Sequence, residues 1–191
     1  MRKLVYSLIL AVFLCSAAFG ASPSELKRMS TFLSNFTELR YYNINLATIS
    51  DEELVHFGVW HNYINNFSTR IEIRPDEKNY PYKGEIIDKK YVAESVKKFF
   101  DLDLNHTSTE DEIYDGKYYH FNGADGEIVF LADVQKVSRN GNTLTLRGEL
   151  YSSEDEDDRP ATFTARVKPY KYKGVNTWSL ISLETKMRGE M

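Results

Sequence analysis

Residues 127–151 read EIVFLADVQKVSRNGNTLTLRGELY, a β-branched and apolar run followed by an Asn-Gly pair and an alternating run. The pair at 140–141 is the combination that a type I′ turn prefers, because both central positions of that turn need positive φ. After the pair, Leu144, Leu146 and Leu150 alternate with polar residues and therefore project to one face of a strand. The sequence predicts a β-hairpin with one apolar face.

Two further strands are predicted downstream of this hairpin, at residues 162–168 and 177–183. The acidic run at 154–158 is predicted to be a solvated connection between the second and third strands. Four consecutive strands separated by turn residues predict an antiparallel meander with one face toward solvent. Since the other face is apolar, different elements of the chain have to cover it.

Helices that could cover the sheet are predicted in the N-terminal half of the chain. Capping residues followed by apolar residues at helical spacing place them at 23–40, 51–66 and 89–100. Short strands are predicted at 68–74 and 118–121. The expected fold is therefore α+β, with the N-terminal helices packed on a curved antiparallel sheet in a single domain over residues 21–191.

The order of elements is helix, helix, strand, helix and then a run of antiparallel strands. This order resembles that of the NTF2-like superfamily over residues 23–185, which implies a curved sheet wrapped around a cone lined by helices. A cystatin-like layout, with one helix gripped by the sheet, is the alternative. The strings at 57–62 and 118–126 are similar to those of uncharacterised exported bacterial proteins, a likeness that implies no activity.

Residues 1–20 have the features of a secretory signal peptide. A basic pair precedes an apolar run at 4–14 and small residues at 15–21, and the apolar run is too short for a stable membrane span. Cleavage after Gly20 is favoured; cleavage after Ala18 and an uncut anchor are the alternatives. We therefore expect an exported protein, periplasmic or extracellular, without a stable membrane span once the signal is removed.

Charge and cysteine content narrow the classes of function. Cys15 is the only cysteine, so a chain that has lost its signal peptide would carry no disulfide, cysteine nucleophile or cysteine metal site. The formal net charge of -4 becomes -6 when Arg2 and Lys3 are removed, and this acidity argues against nucleic acid as a partner. No cofactor is predicted.

Motifs of the commonest enzyme classes are absent from the sequence, which has no Gly-x-Ser-x-Gly, phosphate-binding glycine loop or His-Glu-x-x-His. His56 and His61 diverge by about 140° on a helix, so they cannot share a metal as an i,i+4 pair would. NTF2-like enzymes place acid–base groups inside the cone, and the resemblance implies that His56 or His61 would lie near His120 or Asp125. No catalytic residue is assigned on this basis.

Residues 101–112 imitate a calcium-binding loop, with acidic residues at its first and last positions. The imitation fails at His106, which stands where the loop needs glycine for its sharp turn, and again at Ser108, where an aliphatic residue is expected. The sequence therefore favours a solvated loop over a calcium site, and no metal ligand is assigned.

The candidate binding site is a basic–aromatic segment formed by Tyr170, Lys171, Tyr172 and Lys173. It stands where the third and fourth strands are expected to reverse, on an otherwise acidic protein. A tyrosine at a turn offers a rigid ring at low entropic cost, and the flanking lysines favour an anionic or sugar-bearing partner. The simpler interpretation is a turn with solubilising lysines. The expected partner is an envelope protein, a glycan or a small molecule, and the oligomeric state stays open.

An exported, non-enzymatic binding or interaction module is the leading functional hypothesis, because the chain offers a sheet, helices and aromatic residues but no reactive motif. The alternative is a small acid–base enzyme that uses a histidine–carboxylate pair in an NTF2-like cone. A core filled with phenylalanine and leucine favours the module, whereas an enclosed pocket with a histidine beside a carboxylate favours the enzyme.

Overall fold

The computed structural model describes residues 20–74, 84–124 and 128–189. Within these residues the helices are α1 (Pro23–Thr37), α2 (Asp51–Arg70) and α3 (Lys89–Phe100). One antiparallel sheet contains β1 (Ile44–Asn45), β6 (Phe130–Asn140), β7 (Thr143–Ser152), β8 (Ala161–Tyr172) and β9 (Val175–Met187). The other contains β2 (Ile71–Arg74), β3 (Gly84–Asp88), β4 (Ile113–Tyr114) and β5 (Tyr118–Phe121). The predicted α+β fold is confirmed. The predicted signal peptide, apart from Gly20, lies outside the described residues.

The larger sheet has the strand order β1-β9-β8-β7-β6 and includes the predicted four-strand meander. Leu144 and Leu146 are fully buried, as the alternating pattern requires. The first hairpin turn differs from the prediction. Asn140 still pairs with Thr143, so the loop is Gly141-Asn142, and positive φ occurs at Gly141 but not at Asn142. Glycine at the first central position is the pattern of a type II′ turn rather than type I′.

Helix α1 covers the edge of the larger sheet at β6. The backbone N–H groups of Ala132 and Val134 donate to the hydroxyls of Ser34 and Ser30, at 3.0 and 2.9 Å. An edge strand otherwise presents unpaired N–H groups that can recruit another chain. The two serines therefore satisfy this edge and fix the position of α1 on the sheet.

A β-bulge on β6 lies next to these contacts. The β6–β7 register shifts between Val134 and Lys136. Gly148 sits opposite on β7, and a Cβ there would come within 1.8 Å of the Asp133 carbonyl oxygen. Bulges bend a strand and increase its twist, and glycine permits the close approach of the two backbones. The larger sheet thus bends at the place where α1 packs on it.

Phenylalanine rings form the centre of the main core. Phe36 contacts Phe32, Phe57, Phe99 and Phe100 with ring centroids 5.0 to 5.6 Å apart. These rings come from all three helices, and they belong to the same buried cluster as the inward leucines of the larger sheet. The helices therefore pack on the sheet through a solid aromatic core.

The smaller sheet was not predicted as a separate layer. Its strand order is β2-β3-β5-β4, and with α2 and α3 it encloses a second cluster of buried residues. Of its strands, only β2 and β5 were predicted. β3 is a five-residue strand directly after a polar stretch, and β4 is only two residues long. Neither strand is long enough to show a clear alternating pattern in the sequence.

Helix α2 is longer than predicted. The predicted end at Asn66 is a kink, where φ is -140°, and the helix continues to Arg70. Arg70 Nη1 donates to Asn62 Oδ1 at 2.9 Å and so bridges the kink. None of the helices in the described ranges is long and apolar enough to cross a membrane.

Candidate functional site

A cleft opens between α1, the C-terminal end of α3 and the β8–β9 turn. Its outer part has a volume of about 570 Å³ and is lined by residues that include Arg28, Phe99 and Trp178. An inner recess of about 240 Å³ adds Arg70 from α2. Lys98 lines both parts, as do Tyr172 and Lys173. We call the two parts together the basic cleft.

Arg28 is held at the mouth of the outer part. Its guanidinium lies 5.3 Å from the centre of the Trp178 ring, and Nη2 donates to the Asn176 carbonyl at 2.8 Å. Trp178 is in turn packed edge-on against Phe32, with centroids 5.9 Å apart. A guanidinium has five N–H donors in a rigid fork. The hydrogen bond to Asn176 and the stacking on Trp178 fix the orientation of that fork.

Lys98 connects the two parts of the basic cleft. Its ammonium lies 4.7 Å from the centre of the Phe99 ring. Although the side chain reaches solvent, surrounding protein lowers the pKa of Lys98, first by desolvation and then through the charge of Arg70. Lys98 has no carboxylate partner among the residues that the structure describes. Its charge is therefore available to a ligand.

Glu94 is the carboxylate of the inner recess, where it lies between two cations. It accepts a hydrogen bond from Lys173 Nζ at 2.8 Å and lies 3.6 Å from Arg70 Nη2. The Arg70 guanidinium also packs over the Tyr91 ring at 4.8 Å. Counted over the described lining, four cationic side chains face one carboxylate, a local charge of +3 on a chain whose formal net charge is -4. The basic cleft is thus a positive region on an acidic protein.

His61 forms a buried wall of the inner recess and is neutral. Asn35 Nδ2 donates to the Thr31 carbonyl at 2.6 Å, which turns Oδ1 toward His61 Nε2 at 3.1 Å. The ring therefore carries its proton on Nε2, and Nδ1 accepts from the Ser95 hydroxyl at 3.0 Å. Burial, followed by the charges of Lys98 and Arg70, lowers the pKa of His61 to about 3. It adds no charge to the cleft at neutral pH.

The structure places only some of the predicted contact residues in the basic cleft. Tyr172 and Lys173 line the basic cleft, and Lys173 stands at the turn with a positive φ of 46°. Tyr170 shares a face with Tyr172, 6.4 Å away between ring centroids, and burial, followed by the charge of Asp101, raises the pKa of Tyr170. Lys171 projects to the opposite face of β8 and is exposed. The segment is mostly strand, because β8 continues through Tyr172.

Sequence reasoning did not find the other cationic residues of the cleft. Arg28, Arg70 and Lys98 come from three different helices. One signal existed on α1, where Arg28, Phe32 and Asn35 have the i, i+4, i+7 spacing of a single helix face. The convergence of the three helices at this point is a tertiary property.

Two histidine–carboxylate pairs lie outside the basic cleft. Glu112 is fully buried and accepts hydrogen bonds from His56 Nδ1 and Trp60 Nε1, both at 2.8 Å, and from the Thr109 hydroxyl. Burial alone raises the pKa of Glu112, but hydrogen bonds from His56 and Thr109 hold it below its usual value. In the second pair, His120 Nε2 lies 2.9 Å from an Asp115 carboxylate oxygen.

The histidine pairings proposed from the NTF2-like resemblance are not the ones formed by the described residues. His56 pairs with Glu112 and His61 with Ser95 and Asn35. Asp125 lies outside the described residues.

The segment that imitates a calcium loop is held by protein donors at both ends. Asp101 caps α3 with a positive φ of 58° and lies 3.4 Å from Lys97 Nζ and 3.1 Å from Lys168 Nζ. Glu112, at the twelfth position, points inward to α2 as described above. These contacts give both carboxylates a structural role in fixing the connection between α3 and β4.

Comparisons with protein-family models, with curated proteins and with solved structures gave no match. The class that the observations define is an α+β protein with a basic, aromatic-lined cleft between its helices and a β-hairpin turn. The resemblance to NTF2-like proteins stays a prediction.

Proposed function

We propose that this protein is an exported, non-catalytic binding module and that it takes an anionic ligand into the basic cleft. One observation carries the proposal: four cationic side chains and a single carboxylate line a cleft on a protein with a net negative charge. A concave surface lined by one sign of charge concentrates ligands of the opposite sign. Binding is expected to depend most on Lys98 and Arg28, neither of which has a carboxylate partner among the described residues.

The composition of the core supports a module rather than an enzyme built on a hollow cone. The space between the helices and the larger sheet is filled by buried phenylalanine rings and by inward leucines such as Leu146. Such a core favours a module over a cone that encloses a substrate. The cleft, by contrast, opens at the end of the sheet, where α1, α3 and the β8–β9 turn meet.

Export is part of the proposal because of the sequence of residues 1–20, which has the basic start, apolar run and small residues of a signal peptide. An exported module with one basic cleft would meet anionic molecules of the envelope or the surrounding medium. The ligand is therefore expected to be a molecule that carries carboxylate, sulfate or phosphate groups.

The test is an NMR titration of the purified protein with inorganic sulfate, citrate and a sulfated oligosaccharide. We expect the signals of residues that line the basic cleft to shift, and affinity to fall with added salt because exposed charges are screened. The double variant Lys98→Gln/Lys173→Gln should bind about tenfold more weakly. Lys136→Gln, which removes an exposed lysine on β6, is the matched control and should bind like the wild type. Equal weakening in both variants, or shifts spread over all surface lysines, would refute the cleft as the site.

The alternative, a small acid–base enzyme, is favoured by the His56–Glu112 pair. A buried carboxylate holds Nδ1 of an imidazole whose side chain is 41% exposed, an arrangement that can orient a general base. Activity from this pair would be lost in both His56→Gln and Glu112→Gln and retained in Lys98→Gln. A panel of ester and ketone substrates tested on these variants would separate the two functions.

A further inference from the structure

The outer part of the basic cleft combines an apolar lining with positive charges. Phe99 and Trp178 line the cleft and are almost fully buried, while Tyr172, also in the lining, is half-buried. Val175, also in the lining, is 66% exposed. A ligand that covers Val175 and the exposed part of Tyr172 gains from burial of apolar surface as well as from charge.

Two cationic side chains of the outer part, Arg28 and Lys98, have no carboxylate partner among the described residues. Arg28 uses one of its five donors on the Asn176 carbonyl, and no carboxylate among the described residues pairs with it. Lys98 lies in the same lining with its charge partly desolvated. A guanidinium held over the Trp178 ring can bind a carboxylate or sulfonate through two parallel hydrogen bonds, with the lysine as a second point of charge.

The volume restricts the size of the occupant. A space of about 570 Å³ lies within the roughly 300 to 1,000 Å³ range of small-molecule sites. It is too small for a folded partner but sufficient for a molecule with one or two rings. A long anionic polymer would need a charged groove rather than a short cleft with an apolar lining.

We propose that the ligand of the basic cleft is a small amphipathic anion, an organic acid whose acidic group binds Arg28 and Lys98 and whose apolar body covers Val175 and Tyr172 next to Trp178. This inference rests on the proposed binding function and specifies its ligand class. Binding depends on both parts of the ligand. The acidic group orients the ligand in the cleft, and the apolar body contributes most of the surface that is buried on binding.

The experiment compares the binding of three probes to the purified protein by calorimetry at pH 7. The first, 1-naphthalenesulfonate, is amphipathic. The second, 1-naphthol, has the same rings but no charge, and the third, inorganic sulfate, has the charge but no apolar body. We expect 1-naphthalenesulfonate to bind at least about tenfold more tightly than either of the others. Lys98→Gln should weaken the sulfonate about fivefold or more and leave 1-naphthol unchanged, while Lys136→Gln changes neither.

The two tryptophans give a second readout that locates the probe. The indole N–H signal of Trp178 should shift with 1-naphthalenesulfonate, and Trp178→Phe identifies that signal. The Trp60 indole, which donates to Glu112 elsewhere in the protein, should not move.

The possible outcomes separate this inference from the proposed function. If sulfate and 1-naphthalenesulfonate bind the cleft with equal affinity, or only the sulfated oligosaccharide binds there, the amphipathic ligand is wrong and an anion-binding module stands. If 1-naphthol binds as tightly as the sulfonate and inorganic sulfate does not bind, the cleft is only apolar and both proposals fail. If no anion moves the Trp178 signal or produces heat, both are overturned.

Discussion

Lowering the pH from 7 to 5 should remove about 2 kcal/mol of stability through His61 alone. The pKa of this imidazole is lowered to about 3 in the folded protein, by burial first and then by the charges of Lys98 and Arg70. An unfolded histidine titrates near about 6.5. Below that pH the unfolded state binds a proton that the folded state does not, so stability falls as the pH falls.

The assay is urea unfolding of the wild type and of His61→Gln at both pH values, followed by tryptophan fluorescence. Glutamine can keep a hydrogen bond to Ser95 or Asn35 but does not titrate. The variant is expected to be less stable at pH 7, yet to lose about 2 kcal/mol less than the wild type on acidification. His106→Gln, which removes a half-buried imidazole, is the control and should keep most of the wild-type loss.

An equal loss in the wild type and in His61→Gln would refute the reasoning, because it would place the acid sensitivity elsewhere. An NMR titration of the wild type provides an independent check. The His61 ring signals should stay constant from pH 8 to pH 5, since the folded pKa lies below this range. A titration midpoint near pH 6 would show that the ring is solvated rather than a buried wall of the cleft.

Other predictions concern parts of the fold outside the cleft. Gly148→Ala should destabilise the protein by about 3 kcal/mol or more in urea unfolding, because its Cβ would meet the Asp133 carbonyl at 1.8 Å. Gly141→Ala should cost only about 1 to 2 kcal/mol, because a Cβ there meets nothing although φ is positive. Equal costs for the two variants would contradict the close backbone approach at the β-bulge. Ser34→Ala leaves a β6 edge N–H without its acceptor and should cost about 1 kcal/mol, whereas a neutral result would mean that water replaces the hydroxyl. Glu112→Gln should cost about 2 kcal/mol of stability at pH 7. Because the pKa of Glu112 is lowered in the folded protein, the stability that this carboxylate contributes is lost as the pH falls below its unfolded pKa. The variant should therefore lose less stability than the wild type below pH 4.5.

Local signals in the sequence determined most of the secondary structure. Capping residues mark the helix starts: the capping box at Ser50 and Glu53 is present with both hydrogen bonds, and Asp88 caps α3. Leu144 and Leu146 are buried because alternation along a strand is a property of the strand itself. Such features depend on residues within a few positions of one another, so a single sequence is enough to find them.

The division into two sheets and the basic cleft were decided by the tertiary structure. β3 and β4 exist because β5 offers them a partner, and α2 passes its kink because Arg70 reaches back to Asn62. Tyr172 and Lys173 could be selected from sequence as a basic–aromatic pair. Their position beside Arg28 and Lys98 could not, because those residues are more than seventy positions away along the chain and meet them only when the helices pack on the bent sheet.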